Sequence, residues 1–210
     1  MTEEARAALC GAYRTLGRRG LIQGSSGNVS VRLGDGMLIS PTGTTPERIE
    51  PAHLVATGLD APAPGASSEW ALHAALYRAD PGAGAVVHTH ADACTALACL
   101  AEPLPAFHYM IAAFGGGDVP CAPYATFGTP ALAAAAAAAM RTRTACLLAN
   151  HGMITAGATL DRAVAAAFDL EMLARQYLLA RAAGTPRLLT PAQMAEARER
   201  FRTYGAASTH

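Results

Sequence analysis

The sequence predicts an α/β fold: a single domain over residues 1–210, with a mainly antiparallel central sheet covered by helices. Helical and strand-like patterns alternate along the chain, and one early pair of strand patterns is typical of a hairpin. A length of 210 residues suits one domain, and no repeat or long linker divides the chain. Hydrophobic residues make up 51% of the sequence, which is enough for a large buried core.

The elements can be predicted in chain order. Thr2 can cap a first helix that ends just before Gly20. Residues 29–32 and 37–39 flank a turn at residues 33–36, which favours a hairpin. The later elements are a helix capped by Ser68 and ending near Ala79, a strand at 85–87 before His88, a helix opening at Thr129, a strand at 145–149, a long helix at 159–183 before Gly184, and a last helix with capping-box spacing from Thr190 to Gln193.

Composition excludes several classes of partner. Basic and acidic residues number 16 each, so net charge gives no reason to expect nucleic acid or an anionic membrane. No apolar run reaches the roughly 18 residues of a membrane span, and the N-terminus lacks the pattern of a signal peptide. The five cysteines form no CxxC pair, which predicts reduced thiols in a cytoplasmic protein. Only 15% of residues are charged, which favours burial of surface in an oligomer.

A metal site is the first chemical hypothesis. His88 and His90 are two residues apart at the end of a predicted strand, so their side chains can face one ion. His151 follows another apolar run, and three imidazoles with one carboxylate or water suit zinc. Glu69 could supply the carboxylate, or be an ordinary acid at a helix start. His73, one helical turn on, could pair with it or simply pack.

Two polar turns and a helix start suggest a site for a phosphate ester. They are residues 24–28, residues 41–44 and the pair Ser67-Ser68, all rich in glycine, hydroxyl or amide groups. Glycines let backbone approach an anion, and the first amides of a helix point toward it unpaired. The chain contains no lysine, so a Schiff-base aldolase mechanism is excluded.

Together these segments resemble the class II aldolase and adducin-head family, and within it the enzymes that cleave L-fuculose 1-phosphate. The resemblance spans about residues 9–205 and keeps the family's order of motifs. The matching segments are GLIQGSSGNVS at 20–30, SSEW at 67–70, VVHTH at 86–90, NHG at 150–152, the stretch from Pro105 through HYM at 108–110 to PYATFG at 123–128, and the tail FRTYG at 201–205.

The resemblance implies a metal-dependent aldolase acting through a metal-stabilised enediolate. Zn²⁺, or else Co²⁺ or Mn²⁺, would be held by His88, His90 and His151 with Glu69 near the metal. Glu69 would also remove a proton from C3 of dihydroxyacetone phosphate, and Tyr109 would exchange a proton with the aldehyde oxygen. The products would be dihydroxyacetone phosphate and a small aldehyde.

It also implies where the small phosphorylated sugar lies. Phe127 and Tyr204 would contact the aldehyde portion. The chain would form a cyclic homotetramer in which Tyr109 reaches the site of a neighbouring subunit. Ala66 stands where the family usually has proline, and the 60–66 loop is short, which could loosen the phosphate site. The residues expected to hold the phosphate are Ser25, Asn28, Thr42, Gly43, Ser67 and Ser68.

Four alternatives stay open at this point. 5-Deoxyribulose- and methylthioribulose-1-phosphate aldolases would share the whole site, so the aldehyde is undetermined. Pentulose-phosphate 4-epimerases of the same fold share the three histidines but carry aspartate at the Glu69 position. A methylthioribulose-phosphate dehydratase is a further enzyme of this kind. A non-catalytic, adducin-like interaction module would be expected to lack the ligand set, which this sequence keeps.

Overall fold

The computed structural model describes residues 3–203, so Thr2 and its predicted capping role lie outside them. Short 3₁₀ helices occur at Pro51–His53 and Tyr109–Phe114. The helices and strands are α1 Glu3–Arg18, β1 Gly27–Leu33, β2 Gly36–Ile39, β3 Val55–Gly58, α2 Trp70–Ala79, β4 Ala85–Thr89, α3 Asp92–Ala98, β5 Cys121–Ala122, α4 Pro130–Ala139, β6 Ala145–Leu148, β7 Gly152–Gly157, α5 Leu160–Ala183 and α6 Pro191–Thr203.

Seven strands form one sheet in the order β3-β2-β1-β4-β7-β6-β5. Every neighbouring pair is antiparallel except β5 and β6, which are parallel. The predicted α/β class and mainly antiparallel sheet are therefore confirmed. Within residues 3–203, no helix is both long and apolar enough to cross a membrane.

Helices cover both faces of this sheet and create two apolar cores. Strand β4 shows the pattern: Ala85 and Val87 face the core under α1, α3 and α5, while Val86 faces the core under α2 and α4. All five residues of β4 are buried, as expected for a central strand covered on both sides. His88 lies on the same face as Val86, and therefore on the α2 side of the sheet.

Predicted helix ends agree with the structure where the capping group is local. The hydroxyl oxygens of Thr129 and Thr159 accept hydrogen bonds from backbone amides of the first turns of α4 and α5. At α6 the capping box is complete, since Thr190 N–H donates to Gln193 Oε1 and Gln193 N–H to Thr190 Oγ1. Helix α5 ends at Ala183 with Gly184 as its C-cap.

The start of α2 differs from the prediction that Ser68 caps it. The helix begins at Trp70, and Glu69 is its N-cap without a side-chain capping bond. The Ser67 hydroxyl instead accepts from the Glu69 amide at 3.2 Å, which makes a polar turn before the helix. Glu69 therefore does not lie in the first helical turn, and its carboxylate is free to point elsewhere.

Sequence patterns missed helix α3 and the strands β3, β5 and β7. Helix α3 has only seven residues and depends on a partner distant in sequence. The Glu171 carboxylate of α5 accepts the backbone amides of Ala93 and Cys94, each at 2.9 Å. That cap satisfies donors at the α3 N-terminus through tertiary structure, so no local pattern reports it.

Candidate active site

Three histidines converge where β4 ends and β6 turns into β7. Their nearest ligand atoms all lie within 4.8 Å of one another. Ring centroids are 4.8–5.0 Å apart and the rings meet edge to face. Among the described residues, this is the group of side chains close enough to hold a metal ion: His88, His90 and His151.

The ring nitrogens of His88 and His90 have the orientation that a metal needs. His88 Nδ1 lies 2.9 Å from the Met153 carbonyl oxygen, so Nδ1–H donates there and the Nε2 lone pair faces the cluster. The Nε2 atoms of His88 and His90 are 3.1 Å apart. Two nitrogens bound tetrahedrally to one zinc ion would be about 3.3 Å apart, given a Zn–N length of about 2.0–2.1 Å. The donor set thus fits zinc or a similar divalent ion.

Burial keeps these imidazoles neutral, as metal ligands must be. Desolvation lowers the pKa of His90, and it lowers that of His88 well below the usual range. For His151, desolvation and then the neighbouring His90 lower the pKa to about 4. Neutral rings at physiological pH present lone pairs rather than charges.

A tight turn and a close strand approach place His151. Asn150 adopts a left-handed conformation with φ of 55°, and its N–H donates to the Ala98 carbonyl at 3.1 Å. At Gly152 a Cβ atom would lie 2.4 Å from the Thr89 carbonyl oxygen and 3.1 Å from Cδ2 of His90. Only glycine therefore allows the β4 and β7 backbones to meet beside the histidines.

Glu69 faces the same cavity with one carboxylate oxygen available. Oε1 accepts the Gly128 N–H at 2.9 Å, while Oε2 is buried and has no hydrogen-bond partner within residues 3–203. The residue is 5% exposed, and burial raises its pKa although the Gly128 amide opposes that shift. Glu69 is not part of the histidine cluster itself, so its place near a metal stays a prediction.

The expected phosphate-binding residues border one cavity of about 260 Å³ next to the histidines. Backbone contacts join two of its turns: Thr42 N–H donates to the Gly65 carbonyl, and Pro41 pairs with Ala66 in an isolated bridge. Alanine at 66 thus still supports that junction. None of the described residues lining the cavity is an arginine. Its lining includes Ser25, Ser26, Gly27, Asn28, Thr42, Gly43, Ser67, Ser68, Glu69, Tyr124, Phe127, Asn150 and the three histidines.

Asn28 is held beside His88 by strand register. The two residues are directly opposite on the antiparallel strands β1 and β4, so their side chains project from the same face. Asn28 Oδ1 lies 2.6 Å from Nε2 of His73, whose Nδ1 lies 2.7 Å from Ser30 Oγ. Both nitrogens of His73 are thus engaged, which removes the suggested metal pair with Glu69.

Two predicted residues are not brought to the cavity by the described part of one chain. Tyr109 is 55% exposed in the 3₁₀ helix Tyr109–Phe114, where its ring lies near His108 and Phe201. It is not among the cavity's lining residues. Tyr204 lies outside the described residues. Phe127 does border the cavity, although 66% of its surface is exposed.

Sequence reasoning gave no role to several residues that border the cavity. Ser26 and Gly27 lie within the predicted polar turn, so a wider reading of that turn would have included them. Tyr124 also borders the cavity and is 64% exposed, and its only sequence signal was the PYATFG segment. Asn150 was visible as the residue before His151, but its left-handed backbone was not.

Comparison with known proteins agrees with this geometry. Residues 7–178 match the model of the Class II Aldolase and Adducin N-terminal domain. An L-fuculose phosphate aldolase of Escherichia coli O6:H1 is 47% identical over 192 residues, covering 90% of this chain and 89% of that protein. A 5-methylthioribulose-1-phosphate/5-deoxyribulose-1-phosphate aldolase of Rhodospirillum rubrum is 45% identical over 203 residues, covering 95% and 92%.

Solved structures give the same result. An L-fuculose 1-phosphate aldolase superposes with a TM-score of 0.91 at 36% identity, covering 96% of this chain and 98% of that one. The likeness therefore extends over nearly the whole of both chains. The chain belongs to the class II aldolase and adducin N-terminal domain family, and its relatives group it with the aldolases of that family.

Proposed function

We infer that this enzyme reversibly cleaves a ketose 1-phosphate, L-fuculose 1-phosphate or a similar deoxy-ketose 1-phosphate, to dihydroxyacetone phosphate and a small aldehyde through an enediolate. One observation carries the proposal. A buried carboxylate with a free oxygen, three convergent neutral imidazoles and three polar turns all border one cavity. Proton removal, metal binding and phosphate binding are the needs of a class II aldolase.

His88, His90 and His151 would hold Zn²⁺, with Co²⁺ or Mn²⁺ as substitutes. A divalent ion there would supply Lewis acidity toward the carbonyl and hydroxyl oxygens of the substrate. The protein's own part is to keep the imidazoles neutral and oriented, which the Met153 carbonyl does for His88.

Glu69 is the proposed general base. Its Oε1 is fixed by the Gly128 amide, which leaves Oε2 to accept a proton from C3 of dihydroxyacetone phosphate. Burial favours the protonated form of this carboxyl group and so strengthens its conjugate base. In the cleavage direction the same group returns the proton to the three-carbon product.

The phosphate would bind among Ser25, Asn28, Thr42, Gly43 and the serine pair before α2. These groups donate hydrogen bonds from hydroxyls, amides and backbone without a formal positive charge. They fix the substrate so that C3 faces Glu69, and Phe127 with Tyr204 would contact the aldehyde end.

Tyr109 would act in a homotetramer. Because its ring is exposed and outside the cavity of its own chain, it is available to a neighbouring subunit's site. There its hydroxyl would exchange a proton with the aldehyde oxygen.

A cytoplasmic location fits the five free cysteines.

A second substrate class is favoured by one observation. The Rhodospirillum rubrum relative, which is named for methylthioribulose and deoxyribulose phosphates, matches nearly as well as the fuculose enzymes. Phe127, which is expected to contact the aldehyde, and Tyr124 both border the cavity and are exposed, so several small apolar aldehydes would fit.

A retro-aldol assay over a panel of ketose 1-phosphates, ranked by kcat/KM, tests the proposal. Cleavage should require bound metal: exhaustive chelation should abolish it, and Zn²⁺, Co²⁺ or Mn²⁺ should restore it. Full activity in protein shown by elemental analysis to be metal-free would overturn the metal-dependent mechanism. No cleavage of any panel member by the metal-loaded protein would overturn the aldolase assignment.

A further inference from the structure

A chain of buried hydrogen bonds runs from the cavity into the space between the sheet and α2. It begins at Asn28, which is 5% exposed, and continues through His73 and Ser30 to Tyr77. The successive distances are 2.6, 2.7 and 2.8 Å. Only the Asn28 end borders the cavity, so the other three groups act on a ligand only through that amide.

The His73 ring holds a single proton in this chain. The residue is fully buried, and desolvation lowers its pKa to about 3, so the imidazole is neutral at physiological pH. A neutral ring donates through one nitrogen and accepts through the other. If Nε2 carries the proton, it donates to Asn28 Oδ1; if Nδ1 carries it, the Asn28 amide must turn over to remain hydrogen-bonded.

The inner end of the chain selects between these two states. Tyr77 is 1% exposed and burial raises its pKa, so its hydroxyl keeps its proton and needs an acceptor inside the protein. The acceptor found for the Tyr77 proton is Ser30 Oγ at 2.8 Å. Ser30 then uses its own proton to donate to His73 Nδ1, which leaves the ring proton on Nε2.

We propose that His73, set by Ser30 and Tyr77, is a positioning residue that locks the Asn28 amide with Nδ2 toward the cavity as a donor to the substrate's phosphoryl group. This rests on the proposed function. A side-chain amide has a donor on one side and an acceptor on the other, so its orientation decides whether it attracts or repels the phosphoryl group. With Oδ1 held by His73, the N–H bonds of the Asn28 amide face the anion. If the amide were turned over, its carbonyl oxygen would face the anion instead.

The first test reads the proton position directly. Nitrogen-15 NMR of the imidazole side chains in the ligand-free protein should show His73 as the Nε2–H tautomer, with Nδ1 unprotonated. In Ser30→Ala, Nδ1 loses its donor, and part of the population should shift to Nδ1–H. A wild-type ring protonated at Nδ1 would overturn the proposal, whatever reaction the enzyme catalyses.

The second test measures phosphate recognition. Ser30→Ala should weaken binding of inorganic phosphate and raise KM for the ketose 1-phosphate about tenfold, with kcat within about twofold, since a hydrogen bond to a charged group is affected. Thr155→Val is the matched control. It removes another buried hydroxyl of the sheet, which bonds to the Ala163 carbonyl at 2.9 Å, and should leave both quantities unchanged.

A double-mutant cycle separates positioning from general loss of stability. In an Asn28→Ala background the amide is already gone, so adding Ser30→Ala should not change KM or phosphate affinity further. Additive effects of the two changes would overturn the proposal, as would equal KM changes in Ser30→Ala and Thr155→Val. If no ketose phosphate is cleaved, the tautomer and the inorganic phosphate affinity still decide it.

Discussion

Two buried histidines, one on α2 and one on β4, differ in what surrounds their ring nitrogens. His73 and His88 are both fully buried on the α2 side of the sheet. Both nitrogens of His73 have hydrogen-bond partners, Asn28 and Ser30. In His88 only Nδ1 is bound to a backbone carbonyl, and Nε2 faces two further imidazoles.

Burial alone therefore does not reveal a histidine's role. A ring whose nitrogens both have partners can only hold other side chains in place. A ring with one nitrogen fixed and the other directed at similar nitrogens is prepared for a cation.

Removing one ring from the cluster should cost both metal and activity. His90→Ala leaves two neutral ligands, so bound metal should fall and cleavage should drop more than about 10²-fold, because even loss of an outer partner of a ligand costs about 10–100-fold. Elemental analysis and the retro-aldol assay measure the two effects. His53→Ala, which removes an exposed ring, is the control. Unchanged metal content in His90→Ala would contradict the assignment of the cluster.

The next prediction concerns the carboxylate beside the cluster. Glu69→Gln keeps the size of the side chain but removes the basic oxygen. Exchange of the C3 proton of dihydroxyacetone phosphate with D₂O, followed by NMR without aldehyde, should fall together with cleavage by about 10²-fold or more. Metal content should stay near wild type. If exchange survives, another base must act; His73 is a poor one, since its nitrogens already have partners.

Tyr109 should separate the two half-reactions. Tyr109→Phe should depress cleavage strongly, by about 10²-fold within the usual range for acid–base groups, while proton exchange continues. Equal loss of exchange would mean that Tyr109 also takes part in forming the enediolate.

The same residue tests whether sites are shared between subunits. Mixed oligomers of Tyr109→Phe and His151→Ala should regain activity, because some sites would combine an intact Tyr109 with an intact His151. Native mass spectrometry verifies the mixing. No recovery in verified mixed oligomers would indicate a self-contained site.

A weaker effect concerns how the free energy of unfolding depends on pH. The pKa of His73 is lowered from 6.5 to about 3 by burial, so between these values the unfolded chain binds a proton that the folded chain does not. Its contribution to stability is therefore full above pH 6.5 and decreases as the pH falls. Between pH 6.5 and 5.5 the free energy of unfolding should drop by about 1 kcal/mol from this group.

Urea unfolding at several pH values checks this. In His73→Gln, the new amide can still bond to Asn28. The free energy of unfolding of this variant should fall by about 1 kcal/mol less than that of the wild type between pH 6.5 and 5.5. The same slope in wild type and variant would show that His73 does not remain neutral in the folded protein.

Local sequence carried much of the fold and of the metal site. The HxH spacing and the apolar runs before His88 and His151 suggested a metal site at the ends of strands, and the resemblance to the family supplied the set of three histidines. Helices α4, α5 and α6 have capping groups within three residues, and their starts were predicted correctly. The single-domain organisation and the roles of the site residues stay predictions.

What the sequence could not provide depends on partners distant in the chain. The cap of α3 comes from Glu171, and the pairing of Asn28 with His88 depends on the register of β1 and β4. The partners of His73 come from β1, so its spacing from Glu69 suggested a metal pair that the fold does not form. Spacing within one helix identifies only the neighbours of a side chain on that helix, and not its partners on other strands or helices.

The close approach at Gly152 has a consequence for directed evolution of aldehyde preference. A library that randomises Tyr124 and Phe127 changes exposed rings and should retain folded members. A library that includes position 152 places a side chain against the Thr89 carbonyl and the His90 ring, so nearly every member would displace a histidine. New substrate ranges are thus accessible from exposed residues that border the cavity, whereas the strand contact at Gly152 leaves no room for a side chain.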